Sequence, residues 1–412
     1  MFKKLTSYRV PRNLLVFFHI LILLLLFAHD RDNIDKATLI SSVILIFVIY
    51  ISNFLLLKIS SGDYYIFLVV SMLLSIGILM IYRIDPYLGM RQVIWVSGGI
   101  VVFFLTYIIV KKIKVWENWI WLYGAGSLGL FLATLVFGST IGGSKNWIKL
   151  GKFSFQPAEI VKLMFIFFIA SYYVNKDKYD KNGRGGYYML ISAYVFLGFL
   201  FLQKDLGMAL VFYLIFLSIQ FVYEKDRKLI FYNICLFIIG AFVSYFIFNH
   251  VRIRVKTWLD PWQYIDNKGY QITQSLFAIA SGGFFGTGIG LGYPDFIPEV
   301  HTDFIFSAIC EEMGLFTGMA VIMLFLILVY RGFKIALSQQ DLFFKIVAFG
   351  ITIMFGFQAF IIFGGVIKMI PLTGITLPFV SYGGSSMIAS FVALGILQVA
   401  SEEIEIEVED HE

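Results

Sequence analysis

The chain alternates long apolar runs with short polar breaks. The runs are continuous and lack the alternating ten-residue pattern of a membrane barrel. They predict helical crossings at Leu14–Phe27, Leu39–Leu57, Tyr64–Tyr82, Gln92–Val110, Trp119–Phe137, Ala158–Val174, Tyr187–Phe201, Leu206–Val222, Leu229–Phe248, Phe304–Val329, Phe343–Ile370 and Leu377–Val399. At roughly twenty residues per crossing this is about twelve helices. One break differs from the rest. From Trp258 to Glu312 the chain stays polar and Gly-rich for about forty residues, then re-enters apolar sequence that carries acids. A loop of that length between apolar helices is usually functional.

Composition agrees with the pattern. Of 412 residues, 59% are hydrophobic and only 14% charged, whereas a soluble domain carries about a quarter charged residues. There is too little polar surface to cover a water-soluble sphere. The fold class is an all-α polytopic membrane protein. Cys235 and Cys310 lie in or beside apolar runs and suit small core positions, with no CxxC motif. The five histidines are scattered, so no histidine metal site is signalled. The first run follows Lys3, Lys4, Arg9 and Arg12 as a signal-peptide core would, but AHDRDN after it lacks a small-x-small cleavage site, so a retained helix is expected.

The formal charge of +5 gains meaning once it is placed by side. With the N-terminus inside, the inner segments hold Lys58, Lys111/Lys112/Lys114, Lys176/Lys178/Lys181/Arg184, Lys225/Arg227/Lys228 and Arg331/Lys334. The acidic tail EEIEIEVEDHE also returns to the cytoplasm as a solvated end. The outer side is basic in two places: Lys145/Lys149/Lys152, and Arg252/Arg254/Lys256 with Lys268. Cations kept on the disfavoured side point to an anionic ligand.

Several short stretches carry residues fit for chemistry. In GGSKNWIKLG, Lys145 beside Trp147 suits either the membrane interface or a ligand. Pro157 then opens a helix, with Glu159 in the first turn and Lys162 on the same face. That pair either bolts helices together or lines a substrate path. Asp205, in QKDLG, caps the next helix or organises the Glu–Lys helix. Arg252, Arg254 and Lys256 suit lipid headgroups or a diphosphate. The glycines from Gly282 to Gly292 lack the strand context of a dinucleotide fingerprint and are a weak signal for a phosphate cradle. Asp303 is the last acid before a continuous apolar span. It could simply cap that helix or pair with an arginine; partial burial would raise its pKa and nearby cations would lower it, and either shift suits a general base. Glu311 and Glu312, about two turns deeper, are expected to be ion-paired within the bundle. The segment from Ile370 to Ser386 breaks a span with two prolines and several glycines, so it should be buried in protein beside the outer loop.

Taken in order, GGSKNWIKLG…FQPAEIVK, QKDLG, LDP…GYQITQSLFAIASGGFFGTGIG, IPEVHTDFIFSAICEEMG and PLTGITLPFVSYGGSS resemble the SEDS family of bacterial cell-wall proteins, the FtsW, RodA and SpoVE types, from about Ile81 to the end of the last span. The resemblance implies a ten-helix core with two added N-terminal helices. It divides the chain into residues 1–63, a core at 64–400 with an outer loop at about 250–303, and a tail at 401–412. It implies a peptidoglycan glycosyltransferase in the bacterial cytoplasmic membrane, both termini cytoplasmic, that polymerises lipid II at the outer face and releases undecaprenyl diphosphate. A class B penicillin-binding protein is the implied partner, alongside membrane lipid and without nucleic acid. The family's essential acid falls on Asp303, its Glu and Lys on Glu159 and Lys162 (with Ala158 for the usual Ser), and the acid of its QPDLG on Asp205, where Lys204 replaces Pro. Lys145, Arg252, Arg254 and Lys256 are candidates, by position, to hold the diphosphate. No cofactor is required, and a divalent cation could assist without a ligand cluster that demands it. The rival readings are a transporter of lipid-linked precursor and a non-catalytic scaffold.

Overall fold

The computed structural model describes residues 10–18, 20–21, 36–141, 143–151, 153–180 and 183–402. Half of the first expected crossing, Gly142, Lys152, Lys181 and the tail beyond residue 402 lie outside them. The main helices are α1 (Lys36–Ile59), α2 (Tyr64–Ile84), α3 (Pro86–Lys112), α4 (Ile120–Phe137), α5 (Pro157–Val174), α6 (Gly185–Leu202), α7 (Leu206–Tyr223), α8 (Arg227–Ile247), α9 (Asn249–Leu259), α10 (Tyr270–Gly282), α11 (Ile305–Ser338), α12 (Leu342–Val366) and α13 (Gly384–Ala400). Among the described residues, nine helices are long and apolar enough to cross a membrane, and Val43–Ile59 and Gly384–Ala400 are shorter apolar segments. The last expected crossing starts later than predicted, because residues 377–383 are irregular and helix resumes only at Gly384.

Helix starts follow from short acids in the polar breaks. Asp63 accepts from the Tyr65 N–H, and Asp85 accepts from Tyr87 and Leu88 with Pro86 at the first turn. Asp226 and Asp341 cap α8 and α12 in the same way. Between helices in lipid the driving force is close packing rather than water exclusion. Thus α3 and α13 meet where Gly99 faces Phe391 and where a Cβ on Gly395 would lie 2.9 Å from the Phe103 carbonyl. Helices α2, α5 and α12 form the buried centre, while α8 is the most exposed.

Because successive spans run in opposite directions, the polar connections sort to two ends. The basic end holds Lys58, Lys111, Lys176, Arg227 and Arg331, and is tied by Arg331–Asp63, Lys111–Glu402 and Lys176–Glu224 pairs. The opposite, loop end holds two structures that the hydropathy pattern did not predict. One is an antiparallel sheet of β1 (Ser139–Ile141), β2 (Ser144–Leu150) and β3 (Phe153–Phe155), in the order β1-β2-β3. The other is the pair of short helices α9 and α10 inside the stretch expected to be a long loop. A strap of residues 367–383 joins α12 to α13 at the same end.

Candidate functional site

The strap and the turn that carries Asp303 hold each other. The Ser381 hydroxyl donates to the Thr302 carbonyl at 2.6 Å, and the Tyr382 N–H donates to the His301 carbonyl at 2.8 Å. Ser381 also accepts from the Leu377 N–H at 3.0 Å, and Gln92 Nε2 of α3 donates to the Ser381 carbonyl at 3.1 Å. Phe379 sits in the left-handed region at φ 65, buried between Phe355 and Phe391. A bulky residue keeps that conformation only where its surroundings over-determine it. The irregular segment therefore packs in protein beside the Asp303 turn, as its prolines and glycines predict.

Asp303 is half-buried, and Phe304 after it is fully buried. Burial pushes its carboxyl up to about 6, although the Arg254 charge and the Thr302 hydroxyl pull the other way. Arg254 comes from α9. Its Nη1 donates to the Thr373 carbonyl of the strap at 2.7 Å. A methyl group on Gly374 would lie 3.0 Å from an Arg254 guanidinium nitrogen and 3.4 Å from an Asp303 carboxylate oxygen. The strap glycine, at φ 76, is therefore the floor of a gap with a cation on one side and an acid on the other. Burial disfavours the Arg254 charge, and Asp303 and then Asp205 support it. Among the described residues, Arg254 and Asp303 do not close into a direct ion pair.

Arg254 and Thr373 also line an apolar groove of about 570 Å³, together with Leu197 and Phe201 of α6, Leu210 of α7 and Phe237 and Tyr245 of α8. A long apolar chain fits such walls, and a polar head would stop at the arginine.

Asp205 is buried near Arg254. One carboxylate oxygen accepts from the Met208 N–H at 3.2 Å and so caps α7. The other accepts from Asn146 Nδ2 at 2.6 Å and Gln156 Nε2 at 2.9 Å. Burial raises its pKa, against the pull of these three bonds. Two residues on, a Cβ at Gly207 would meet the Thr373 carbonyl at 2.7 Å. The strap carbonyl that takes the Arg254 bond is thus seated on the α7 terminus that Asp205 caps.

Glu159 and Lys162 form a 2.8 Å ion pair within α5, and Lys162 also donates to Gln358 of α12 at 3.2 Å. Both are almost fully buried, at 3% and 2% exposure, and the pair bridges two central helices. Lys145 turns its ammonium onto the Leu135 carbonyl, and its backbone N–H donates to Gln203. Helix α9 separates the cations that the sequence set at alternate positions. Arg254 reaches the Thr373 carbonyl, Arg252 donates to the Phe246 carbonyl at 3.0 Å, and Lys256 is exposed. One turn of helix is 3.6 residues, so side chains two apart point to different sides. Lys204 acts with Arg254 to lower the pKa of His250, after the larger effect of burial, so its positive charge reaches the same region. Among the described residues no three His, Cys, Asp or Glu side chains gather to hold a metal ion.

A family model described as a cell cycle protein of the FtsW, RodA and SpoVE type matches residues 63–405. The chain belongs to this SEDS family. It is 37% identical over 355 residues to the peptidoglycan glycosyltransferase RodA of Mycobacterium tuberculosis, which covers 80% of this chain and 76% of the relative. It is 34% identical over 361 residues to stage V sporulation protein E of Bacillus subtilis, covering 82% and 97%. A chain from a solved structure concerned with polymerization and crosslinking by a peptidoglycan synthase complex superposes with a TM-score of 0.70 at 26% identity, covering 84% of this chain and 98% of that one.

In this SEDS protein the structure brings Asp303 and Arg254 together and seats Asp205 next to them. Glu159 and Lys162 pair with each other in the buried interior, Lys145 and Arg252 turn onto backbone carbonyls, and Lys256 is exposed. Sequence reasoning passed over Thr373, Lys204, Asn146 and Gln358. Lys204 had a visible signal, a cation in the break just before the Asp205 cap, held at φ 60 in the turn. Gln358 had none, since a lone glutamine in an apolar run gains meaning only from what faces it.

Proposed function

We propose that this SEDS protein is a peptidoglycan polymerase whose reacting centre is the gap between Asp303 and Arg254. The carrying observation is their juxtaposition over Gly374, with Arg254 also lining the apolar groove. The substrate class is a disaccharide-pentapeptide on a polyprenyl diphosphate, lipid II. The groove suits the polyprenyl chain of the donor, and Arg254 suits its diphosphate. The basic end faces the cytoplasm by the positive-inside rule, so the loop end faces outward.

Asp303 takes the proton from the acceptor sugar hydroxyl. That oxygen forms the new bond to the donor's anomeric carbon as the bond to the diphosphate oxygen breaks. The departing diphosphate gathers negative charge, which Arg254 is placed to receive, with Lys204 nearby. The carboxyl near 6 leaves most Asp303 ionised and ready as base above that pH. Asp205 acts at one remove, through the α7 terminus and the Thr373 carbonyl. Because the structurally similar chain comes from work on a complex that couples polymerization to crosslinking, the partner we infer is a crosslinking class B penicillin-binding protein.

The test is direct. Purified protein, alone and with its partner, is given lipid II, and glycan strands are resolved by gel. Wild type makes strands and Asp303→Asn makes none while remaining monodisperse. Full strand synthesis by Asp303→Asn would end the assignment, and labelled lipid crossing liposomes without polymerisation would favour a transporter.

A further inference from the structure

Helix α11 is broken where it passes the Gly-rich segment. Gly314 has φ 83 and ψ 165, which no helix contains. Continuous helix would bond the Leu315 and Phe316 N–H groups to the Glu311 and Glu312 carbonyls. Instead Leu315 donates to Gly283 and Phe316 to Phe284, at 3.0 and 3.1 Å. The vacated Glu311 and Glu312 carbonyls accept from the Thr287 and Gly288 N–H groups at 2.9 and 3.0 Å. Residues 283–288 are spliced into the break and satisfy the backbone on both sides of it, as membrane depth demands. The fit needs glycine. A Cβ on Gly286 would strike the Glu312 carbonyl, and one on Gly314 would strike Gly286 and Phe284.

The splice is anchored by side chains. Glu312 accepts from the Gly290 N–H at 2.9 Å and pairs with Arg83 at the end of α2 at 3.1 Å. Glu311 accepts from the Tyr293 N–H at 3.0 Å. Arg83 also reaches the Gly292 carbonyl at 3.5 Å. Both glutamates are buried. The arm above the break, residues 305–313, follows directly on Asp303. The arm packs on α10 through Ser307 and Ser275, on α12 through Phe306 and Phe363, and on Gly318 below the break, and the spliced loop and α2 hold its deep end at Glu311 and Glu312.

We propose that Arg83 and Glu312 are positioning residues for Asp303. They latch the spliced segment to the buried helix α2, and so hold the upper arm of α11 and the carboxylate at its head against Arg254. The inference rests on the assignment of Asp303 as the base. A shift of about 1 Å at a reacting group costs about a hundredfold in rate, and loss of the latch acts on rate rather than on substrate affinity.

The experiment compares kcat and KM for lipid II in wild type, Asp303→Asn, Glu312→Gln, Arg83→Gln and Arg83→Lys, each corrected for monodisperse folded protein. Glu312→Gln keeps an acceptor for the Gly290 N–H and loses the charge facing Arg83. Arg83→Gln leaves the Glu312–Gly290 bond untouched, so it stands if Glu312→Gln does not fold. The expected result is a kcat lowered by about a hundredfold in both Gln variants, KM within about twofold of wild type, and recovery of most of the loss in Arg83→Lys. An unchanged kcat per folded molecule, or a raised KM at constant kcat, overturns the proposal. If Asp303→Asn is inactive while the Gln variants match wild type, only the positioning role falls. If Asp303→Asn keeps wild-type kcat, the base assignment falls, whatever the others do.

Discussion

Two acid–base couples lie at the loop end of this bundle, and they are built in opposite ways. Glu159 and Lys162 share a helix, touch at 2.8 Å and are sealed from solvent, with Gln358 accepting a further hydrogen bond from the ammonium. Asp303 and Arg254 come from different elements, stay half-buried and face each other over Gly374 without closing. The first couple is closed on itself and tied to α12. The second keeps an acid and a cation beside a shared space, and the cation also lines the apolar groove. A complete pair joins helices, and an incomplete pair is available to a substrate. Burial raises the Asp303 carboxyl to about 6 because its cation is near enough to moderate that rise but does not neutralise it by contact.

The comparison can be broken most decisively at Asp303. Asp303→Asn should lower the polymerisation rate by about 10²–10⁴, the usual range for a general base, with an unchanged elution profile. Arg254→Met should lower kcat by about 10²–10³. It should also move the acid limb of the pH–rate profile. Asp303 acts only when deprotonated, so the wild-type rate rises as pH passes upward through about 6. Removing the arginine removes an attraction that favours the carboxylate, so the limb shifts to higher pH; a shift to lower pH would contradict the arrangement. In the sealed couple the expected effect is on stability. Lys162→Met leaves Glu159 buried without its partner, which costs about 3–5 kcal/mol and should show as a lower unfolding temperature in detergent. The double variant Glu159→Gln/Lys162→Met should recover most of it. A stable Lys162→Met protein with no activity would move that couple into the chemistry. Gly374→Ala forces a side chain to φ 76, at about 1–2 kcal/mol, and intrudes between acid and cation, so its rate should fall more than its stability. Lys145→Met, which releases only a lysine bonded to a backbone carbonyl, should stay within about 0.5 kcal/mol of wild type and keep its rate.

Much of this was legible along the chain because the relevant constraint is local. Membrane helices announce themselves by run length. Asp303 stood out as the last acid before an unbroken apolar span, and the prolines and glycines of the strap marked irregular backbone that had to be buried. Glu311 and Glu312 were expected to be ion-paired; Glu312 is, to Arg83, whereas Glu311 accepts from the Tyr293 backbone N–H. Three cations at alternate positions looked equivalent because the short helix α9 had no hydropathy signal to reveal it. Its geometry gives Arg254 to the site and leaves Arg252 and Lys256 elsewhere. The Gly-rich segment read as a weak signal for a phosphate cradle, yet its glycines fit it into a broken helix.

The sequence by itself determined the fold class, the sorting of charge to two ends and the place of Asp303 as the last acid before an unbroken apolar span, since these follow from how each stretch partitions between lipid and water. Tertiary structure alone decided which cation faces that acid, which pair is sealed, and that α11 is completed by residues 283–288. Each of those depends on contacts between segments far apart in the chain, where a backbone group or a charge in the membrane must find its partner wherever the bundle brings one.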